Sequence, residues 1–327
     1  MTSKPRTTAA SGAPARPGIT PGSLAAGEPA STRPRTRNLA HTLKGLVATS
    51  RPLSWINTAY PFAIAYLLAG GGFDWRWWVG AIFFLIPYNL VMYGINDVFD
   101  YESDIRNPRK GGVEGAVLHR SLHATVLWAC ALTALPFLVA LVLGPGARAN
   151  LVLGISMAAV LAYSAPYLRF KERPFLDSLT SAVHFVSPGV YGWVLAEASM
   201  DLQPLAAFGA FLLWGMASHA LGAIQDIEPD RQAGLSSIAT VLGARWTARL
   251  VVGWYVLAGL LLLVLPGPAK LAGLLAVPYA LNALPYLNLA DQDSAIARSA
   301  WRRFLWLNYL CGFLLSMLLI YLVWFWQ

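Results

Sequence analysis

Residues 75–104 read WRWWVGAIFFLIPYNLVMYGINDVFDYESD. From Trp75 to Ile95 only Arg76 is charged, and the stretch is long enough to cross a bilayer as a helix, which takes about 20 mostly apolar residues. It then runs straight into Asn96, Asp97, Asp100, Glu102 and Asp104. A membrane span that ends in a carboxylate cluster sets both questions about this chain: how many such spans there are, and what the acids do where the apolar run stops.

Working outward, the rest of the sequence has the same character. Of 327 residues, 57% are hydrophobic and 12% charged, with 13 Trp, and the mean hydropathy is +0.52. Soluble domains carry about a quarter charged residues, so the composition predicts an all-α polytopic membrane protein. Nine stretches qualify as spans: 52–71, 75–97, 119–143, 149–168, 175–197, 203–226, 247–266, 268–288 and 303–325. Residues 1–38 differ, being rich in Thr, Ser, Ala, Pro, Gly and Arg without aliphatic runs. They read as a disordered basic tail with no apolar core of a secretory signal, ahead of a membrane domain over 39–327. Leu39, Leu43, Leu46 and Val47 fall at helical spacing and predict a short helix at the membrane surface.

The net charge of +8 could point to nucleic acid, but the bases are sorted by topology. The tail and the segments after spans two, four, six and eight hold 21 of the 24 Lys and Arg, and the opposite side holds Arg76, Arg148 and Lys270. The positive-inside rule therefore places the N-terminus and these segments in the cytoplasm and the C-terminus outside, with Trp75, Trp77, Trp78, Trp324 and Trp326 as an aromatic belt. The charge needs no nucleic acid. Cys130 and Cys311 lie in apolar runs without metal-ligand spacing and read as packing residues.

Of the 16 acidic residues, seven lie in two clusters on that cytoplasmic side: the one from Asp97 to Asp104, and Asp226, Glu228 and Asp230 after span six. At about 100° per residue, Asn96, Asp97, Asp100 and Asp104 share an arc of about 100°, and Asp226 and Asp230 stand one turn apart, leaving Glu102 and Glu228 to solvent. Carboxylates so close repel unless a cation lies among them. All-oxygen donors select hard cations, and Mg²⁺ takes one or two carboxylates plus substrate phosphates. Two facing clusters would thus hold Mg²⁺ around a diphosphate; the competing reading is a pair of solvated loops capping apolar helices. Tyr167 and Lys171, at i and i+4 after span four, could bind phosphate oxygens, as could Arg106, Arg109 and Lys110 beside Gly111 and Gly112. Asn57, Tyr88, Asn89, Asp177, His184 and His219 are polar groups within spans, a pattern most often explained by interhelical hydrogen bonds.

At these residues the chain resembles the UbiA superfamily of intramembrane prenyltransferases. Its NDxxDxxxD motif is matched by Asn96, Asp97, Asp100 and Asp104, its DxxxD by Asp226 and Asp230, and its YxxxK by Tyr167 and Lys171, within a resemblance covering about 40–327. The stretch Asn96 to Gly115, with Asn107-Pro108-Arg109-Lys110-Gly111-Gly112 where quinone-branch members have Arg-Pro-Leu, looks most like the carotenoid branch of lycopene elongases. The resemblance implies a nine-helix bundle with a central cavity open to the cytoplasmic side. It implies Mg²⁺ held by Asn96, Asp100, Asp226 and Asp230 with Asp97 and Asp104 assisting, and diphosphate bound by Lys171, Tyr167, Arg106, Arg109 and Lys110. Asp100, Asp226 and Lys171 would be catalytic in moving a dimethylallyl group from its diphosphate to lycopene within the lipid membrane. A quinone-type transferase acting on an aromatic acceptor and, outside enzymes, a cation-coupled transporter are the alternatives. A CDP-alcohol phosphatidyltransferase is excluded by the missing DGxxAR…GxxxD pattern.

Overall fold

The computed structural model describes residues 39–105, 119–144 and 146–326. The tail over 1–38 and the basic residues Arg106, Arg109 and Lys110 lie outside the described residues. The described residues are helical throughout, with no strand among them: α1 (Leu39–Thr49), α2 (Ile56–Leu68), α3 (Trp75–Leu85), α4 (Pro87–Phe99), α5 (Tyr101–Asp104), α6 (His123–Val142), α7 (Ala147–Ser164), α8 (Leu176–Leu195), α9 (Leu202–Ile224), α10 (Ile227–Gln232), α11 (Ile238–Leu261), α12 (Ala276–Ala283) and α13 (Arg298–Phe325). Local chemistry sets their ends. Asp74 caps α3 by accepting from the amides of Arg76 and Trp77, Pro87 opens α4, and Ser237 with Thr240 forms a capping box at the start of α11.

Six helical stretches are long and apolar enough to span a membrane: Trp75–Phe99, Arg120–Val142, Ala147–Ser164, Leu202–Ile224, Ile238–Val264 and Asp291–Phe325. The protein is an integral membrane protein. The expected count of nine is not reproduced as nine long apolar helices, and the three that differ do so for separate reasons. α2 has 13 residues, because the chain enters it from a 3-10 turn at Pro52–Ser54 and leaves it at Gly70, whose φ is 90°. α8 is 20 residues long but polar for a span, burying Asp177, Ser178, Thr180, His184 and Ser187. The eighth stretch divides into a 3-10 segment over Gly267–Leu275 and the short α12. There Gly273 meets Gly259 of α11 backbone to backbone, since a Cβ on either would stand 2.6–2.9 Å from the other's carbonyl oxygen.

Two hydrophobic cores result. The first gathers Phe62, Phe83, Phe84, Tyr88 and Tyr191 with residues of α4, α6 and α7. The second gathers Leu221, Ile224, Val251, Tyr255, Tyr279 and Phe304 from α9, α11, α12 and α13. α2 packs along α8, α8 along α9 and α9 along α11, so that α8 and α9 join the halves. The polar groups inside the spans mostly find partners as expected: Asn89 donates to Thr58 Oγ1 at 2.7 Å and to the carbonyl of Phe84, and Tyr88 donates to the carbonyl of His184 at 3.1 Å. Cys130 and Cys311 are free and buried.

Candidate active site

The first acidic motif sits where α4 ends. The amide of Asp100 donates to the carbonyl of Asn96 at 2.9 Å, the i to i−4 bond that stacks the two side chains, and the helix stops at Asp100. Asn96 donates from Nδ2 to Ser164 Oγ of α7 at 2.8 Å. Asp100 is 4% exposed and forms an ion pair with Lys171, with Arg169 Nη2 at 3.8 Å. Asp97 is engaged by a different cation: Arg51 Nη2 donates to its Oδ1 at 3.0 Å, and the Arg51 guanidinium lies 4.1 Å over the ring of Tyr93. Asp104 is the last residue of α5.

The second motif follows α9. Asp226 is the residue before α10, and the amide of Asp230 donates to its carbonyl at 2.9 Å, putting the two carboxylates one turn apart as their spacing predicts. Gly234, at φ 69°, closes the turn, and the amide of Leu235 returns to the carbonyl of Asp230 at 2.8 Å. Behind α10, Arg231 donates to Asp291 Oδ2 at 2.8 Å and to the carbonyl of Thr240 at 2.7 Å. Asp291 Oδ1 in turn accepts from the amide of Ala244 at 2.7 Å, the first residue after a break in α11 at Gly243, where φ is 76° and ψ 165°. A Cβ at Gly243 would stand 2.8 Å from Asp291 Oδ1.

Asn96, Asp100, Lys171, Asp226 and Asp230 line one cavity of about 2820 Å³. Away from the acids its wall is aromatic and aliphatic: Trp214, Tyr279 and Phe304 line it with ring centroids 5.6–5.8 Å apart. Among the described residues no three His, Cys, Asp or Glu side chains form a complete metal cage. Oxygen donors contributed in ones and twos from two sides suit an ion that fills its remaining positions with phosphate and water, and so fit Mg²⁺.

The segment between α7 and α8 departs from its expected geometry. The i, i+4 spacing of Tyr167 and Lys171 suggests one helical turn, but α7 ends at Ser164. Ala165, held before Pro166, is extended at ψ 141°, Tyr167 and Arg169 take left-handed φ values of 72° and 39°, and only Phe170–Glu172 forms a 3-10 turn. Lys171 therefore reaches Asp100, while Tyr167 is 96% exposed and outside the cavity lining. Pro166 is the signal that marks this break. The sequence reading also passed over Arg51, Ser164, Arg169 and Glu172. Arg169 pairs with Glu172, and that hydrogen bond holds the Glu172 carboxyl below its usual range and raises the Arg169 guanidinium. Of the two glutamates expected to remain solvated, Glu102 is exposed and paired with Arg120, and Glu228 is half-buried 4.0 Å from Arg231.

Asp177 is fully buried and joins the halves. Its Oδ1 accepts from the amide of Ser178 at 2.7 Å, its Oδ2 from the amide of Ile238 at the start of α11 at 2.7 Å, and His219 Nε2 lies 3.9 Å away.

Residues 58–308 match the model of the UbiA prenyltransferase family. The chain is 54% identical over 275 residues to a lycopene elongase/hydratase of Corynebacterium glutamicum, covering 84% of this chain and 96% of that one. It is 52% identical over 296 residues to the C(50) beta-cyclic carotenoids biosynthesis protein LbtBC of a Dietzia species, covering 90% and 68%. In fold it is similar to a UbiA homolog from Archaeoglobus fulgidus bound to GPP and Mg²⁺, at a TM-score of 0.59 and 17% identity over 83% of this chain and 99% of that one. The chain belongs to the UbiA prenyltransferase family.

Proposed function

We propose that this protein is a lycopene elongase, transferring a dimethylallyl group from its diphosphate to lycopene on the way to C50 carotenoids. The observation that carries the reading is the single cavity lined by both aspartate motifs and by an aromatic wall, in a chain 54% identical to a lycopene elongase/hydratase over nearly the whole of that relative. Asn96, Asp100, Asp226 and Asp230 would hold Mg²⁺, which when bound neutralises charge on the departing diphosphate. Asp97 serves indirectly by fixing Arg51 and the end of α4, and Asp104 completes the first motif.

Lys171 and Arg169, both against Asp100, bring cations to the place where leaving-group charge develops. By the family resemblance, Arg106, Arg109 and Lys110, which follow the first motif in sequence, would be further cations for the diphosphate. Trp214, Tyr279 and Phe304 exclude water and offer π faces to an allylic cation. The bias of 21 bases against 3 supports a cytoplasmic N-terminus and cytoplasmic acidic clusters in the cell membrane, with the C-terminus outside.

The test incubates membranes carrying the full chain with dimethylallyl diphosphate, Mg²⁺ and either lycopene or 4-hydroxybenzoate, with products read by mass spectrometry. C45 and C50 carotenoids, lost in EDTA and restored by Mg²⁺, are expected. A prenylated benzoate with no carotenoid product would overturn the acceptor, and unchanged turnover in EDTA would overturn the metal.

A further inference from the structure

Adding an allylic cation to an alkene leaves a tertiary carbocation on the acceptor. It becomes neutral by shedding one proton, either from a neighbouring carbon as a C=C bond forms or from a water whose oxygen bonds the cation. Both routes need a proton acceptor inside the cavity, and the carboxylate of Asp100 is already engaged by Lys171 and Arg169.

His184 of α8 has the required attributes. It is 3% exposed and lines the cavity. Its Nε2 is buried without a hydrogen-bond partner. A neutral imidazole keeps one ring nitrogen as a proton acceptor whichever nitrogen carries the hydrogen. The ring of Tyr163 stands edge-on to the imidazole at 5.1 Å, and the next residue, Ser164, accepts from Asn96 at 2.8 Å. His184 is thus linked to the first motif through the adjacent residues Tyr163 and Ser164, and it lines the same cavity as Asn96 and Asp100. The other histidine of the wall, His219, faces Asp177 at 3.9 Å, whereas among the described residues no carboxylate pairs with His184.

We propose that His184 is the general base of the terminating step, an inference that rests on the prenyl transfer proposed above. On the carbon route the C–H bond breaks and its electron pair becomes the new C=C bond; on the water route an oxygen lone pair forms the C–O bond and the O–H pair stays on oxygen as the proton leaves. In both, the proton passes to the imidazole to give an imidazolium.

His184→Gln keeps a polar side chain of similar reach and has no basic nitrogen. The full-length variant in proteoliposomes, with dimethylallyl diphosphate, Mg²⁺ and lycopene in ¹⁸O-water, is scored for pyrophosphate and for carotenoid product. Pyrophosphate release is expected to stay within about threefold of the parent protein. Prenylated carotenoid per pyrophosphate should fall by about tenfold or more, with dimethylallyl alcohol making up the difference. In the parent protein, ¹⁸O in the product assigns the proton to water, and unlabelled alkene assigns it to carbon. An unchanged yield per pyrophosphate, as when pyrophosphate itself takes the proton, overturns the proposal. So does parallel loss of release and product, which makes His184 a residue of the fold or of ionisation. No carotenoid product from the parent protein would sink the acceptor assignment, and this inference with it.

Discussion

The two aspartate motifs reach one cavity from unlike surroundings. The first lies at the buried end of α4, where Asp100 is neutralised by Lys171 and approached by Arg169, and Asp97 pairs with Arg51. The second lies at the start of the short helix α10, with Asp226 and Asp230 half-buried and Arg231 of that helix paired with Asp291. Asp100 of the first motif is thus paired directly with Lys171, while the helix that carries the second is held by Arg231 and Asp291. Loss of a carboxylate should cost activity at both sites, and loss of Asp100 should cost stability as well.

Asp100→Ala and Asp226→Ala give the largest expected effect. Each removes charge stabilisation of the leaving group and should lower kcat/KM by about 10²–10³ or more. Asp100→Ala also strands Lys171, whose side chain is 15% exposed, so that variant should lose about 3 kcal/mol of stability in detergent. A melting curve for Asp100→Ala that matches the parent protein's would show that the pair adds nothing to the fold. Lys171→Met should lower turnover less than Asp100→Ala, because Arg169 remains beside the carboxylate.

Gly243→Ala attacks the second motif through its support. The conformation at φ 76°, ψ 165° is open to glycine almost alone, and a Cβ there meets Asp291 Oδ1 at 2.8 Å. A loss of about 1–3 kcal/mol is expected, with KM for the allylic diphosphate raised as α10 loses its anchor. An unchanged KM in a destabilised variant would mean that α10 holds its place without Asp291.

The same contrast explains what could be read in the sequence. Asn96 with Asp100, and Asp226 with Asp230, are i, i+4 pairs on continuous or capped helical backbone, so their spacing carries their geometry. Tyr167 and Lys171 have the same spacing, but Pro166 and two left-handed residues break the helix between α7 and the 3-10 turn, and the side chains diverge. Arg51 reaches Asp97 across 46 residues, which no local pattern encodes. The span count suffered likewise: α8 hides polar groups against α7 and α11, with Ser187 bonded to Ser156 and Asp177 to the amide of Ile238, and its membership of the bundle depends on those neighbours rather than on its own hydropathy.

Tyr167→Phe tests that divergence directly. A hydrogen bond from the phenol to a diphosphate oxygen would be worth about 1.5–3 kcal/mol, or more than about tenfold in kcat/KM. With the side chain 96% exposed and outside the cavity, a change of less than about threefold is expected. A tenfold loss would show that the segment rearranges when diphosphate binds.

The smallest expected effect lies in the contact between Arg169 and Glu172, which aims one of the two cations near Asp100. The hydrogen bond from Arg169 depresses the Glu172 carboxyl in the folded protein. A depressed carboxylate contributes stability that is present above its ordinary value of 4.5 and lost as pH falls through the lower folded value. Both side chains are partly exposed, at 33% and 24%, so the contribution should be no more than about 1 kcal/mol. Wild type and Glu172→Gln should then differ slightly in thermal stability at neutral pH and converge in acid. Their turnover should differ most where Glu172 is ionised, because only there is Arg169 shared between Glu172 and the first motif. A gap between the melting curves that widens on acidification would reverse the sign and remove Glu172 from the support of Asp100.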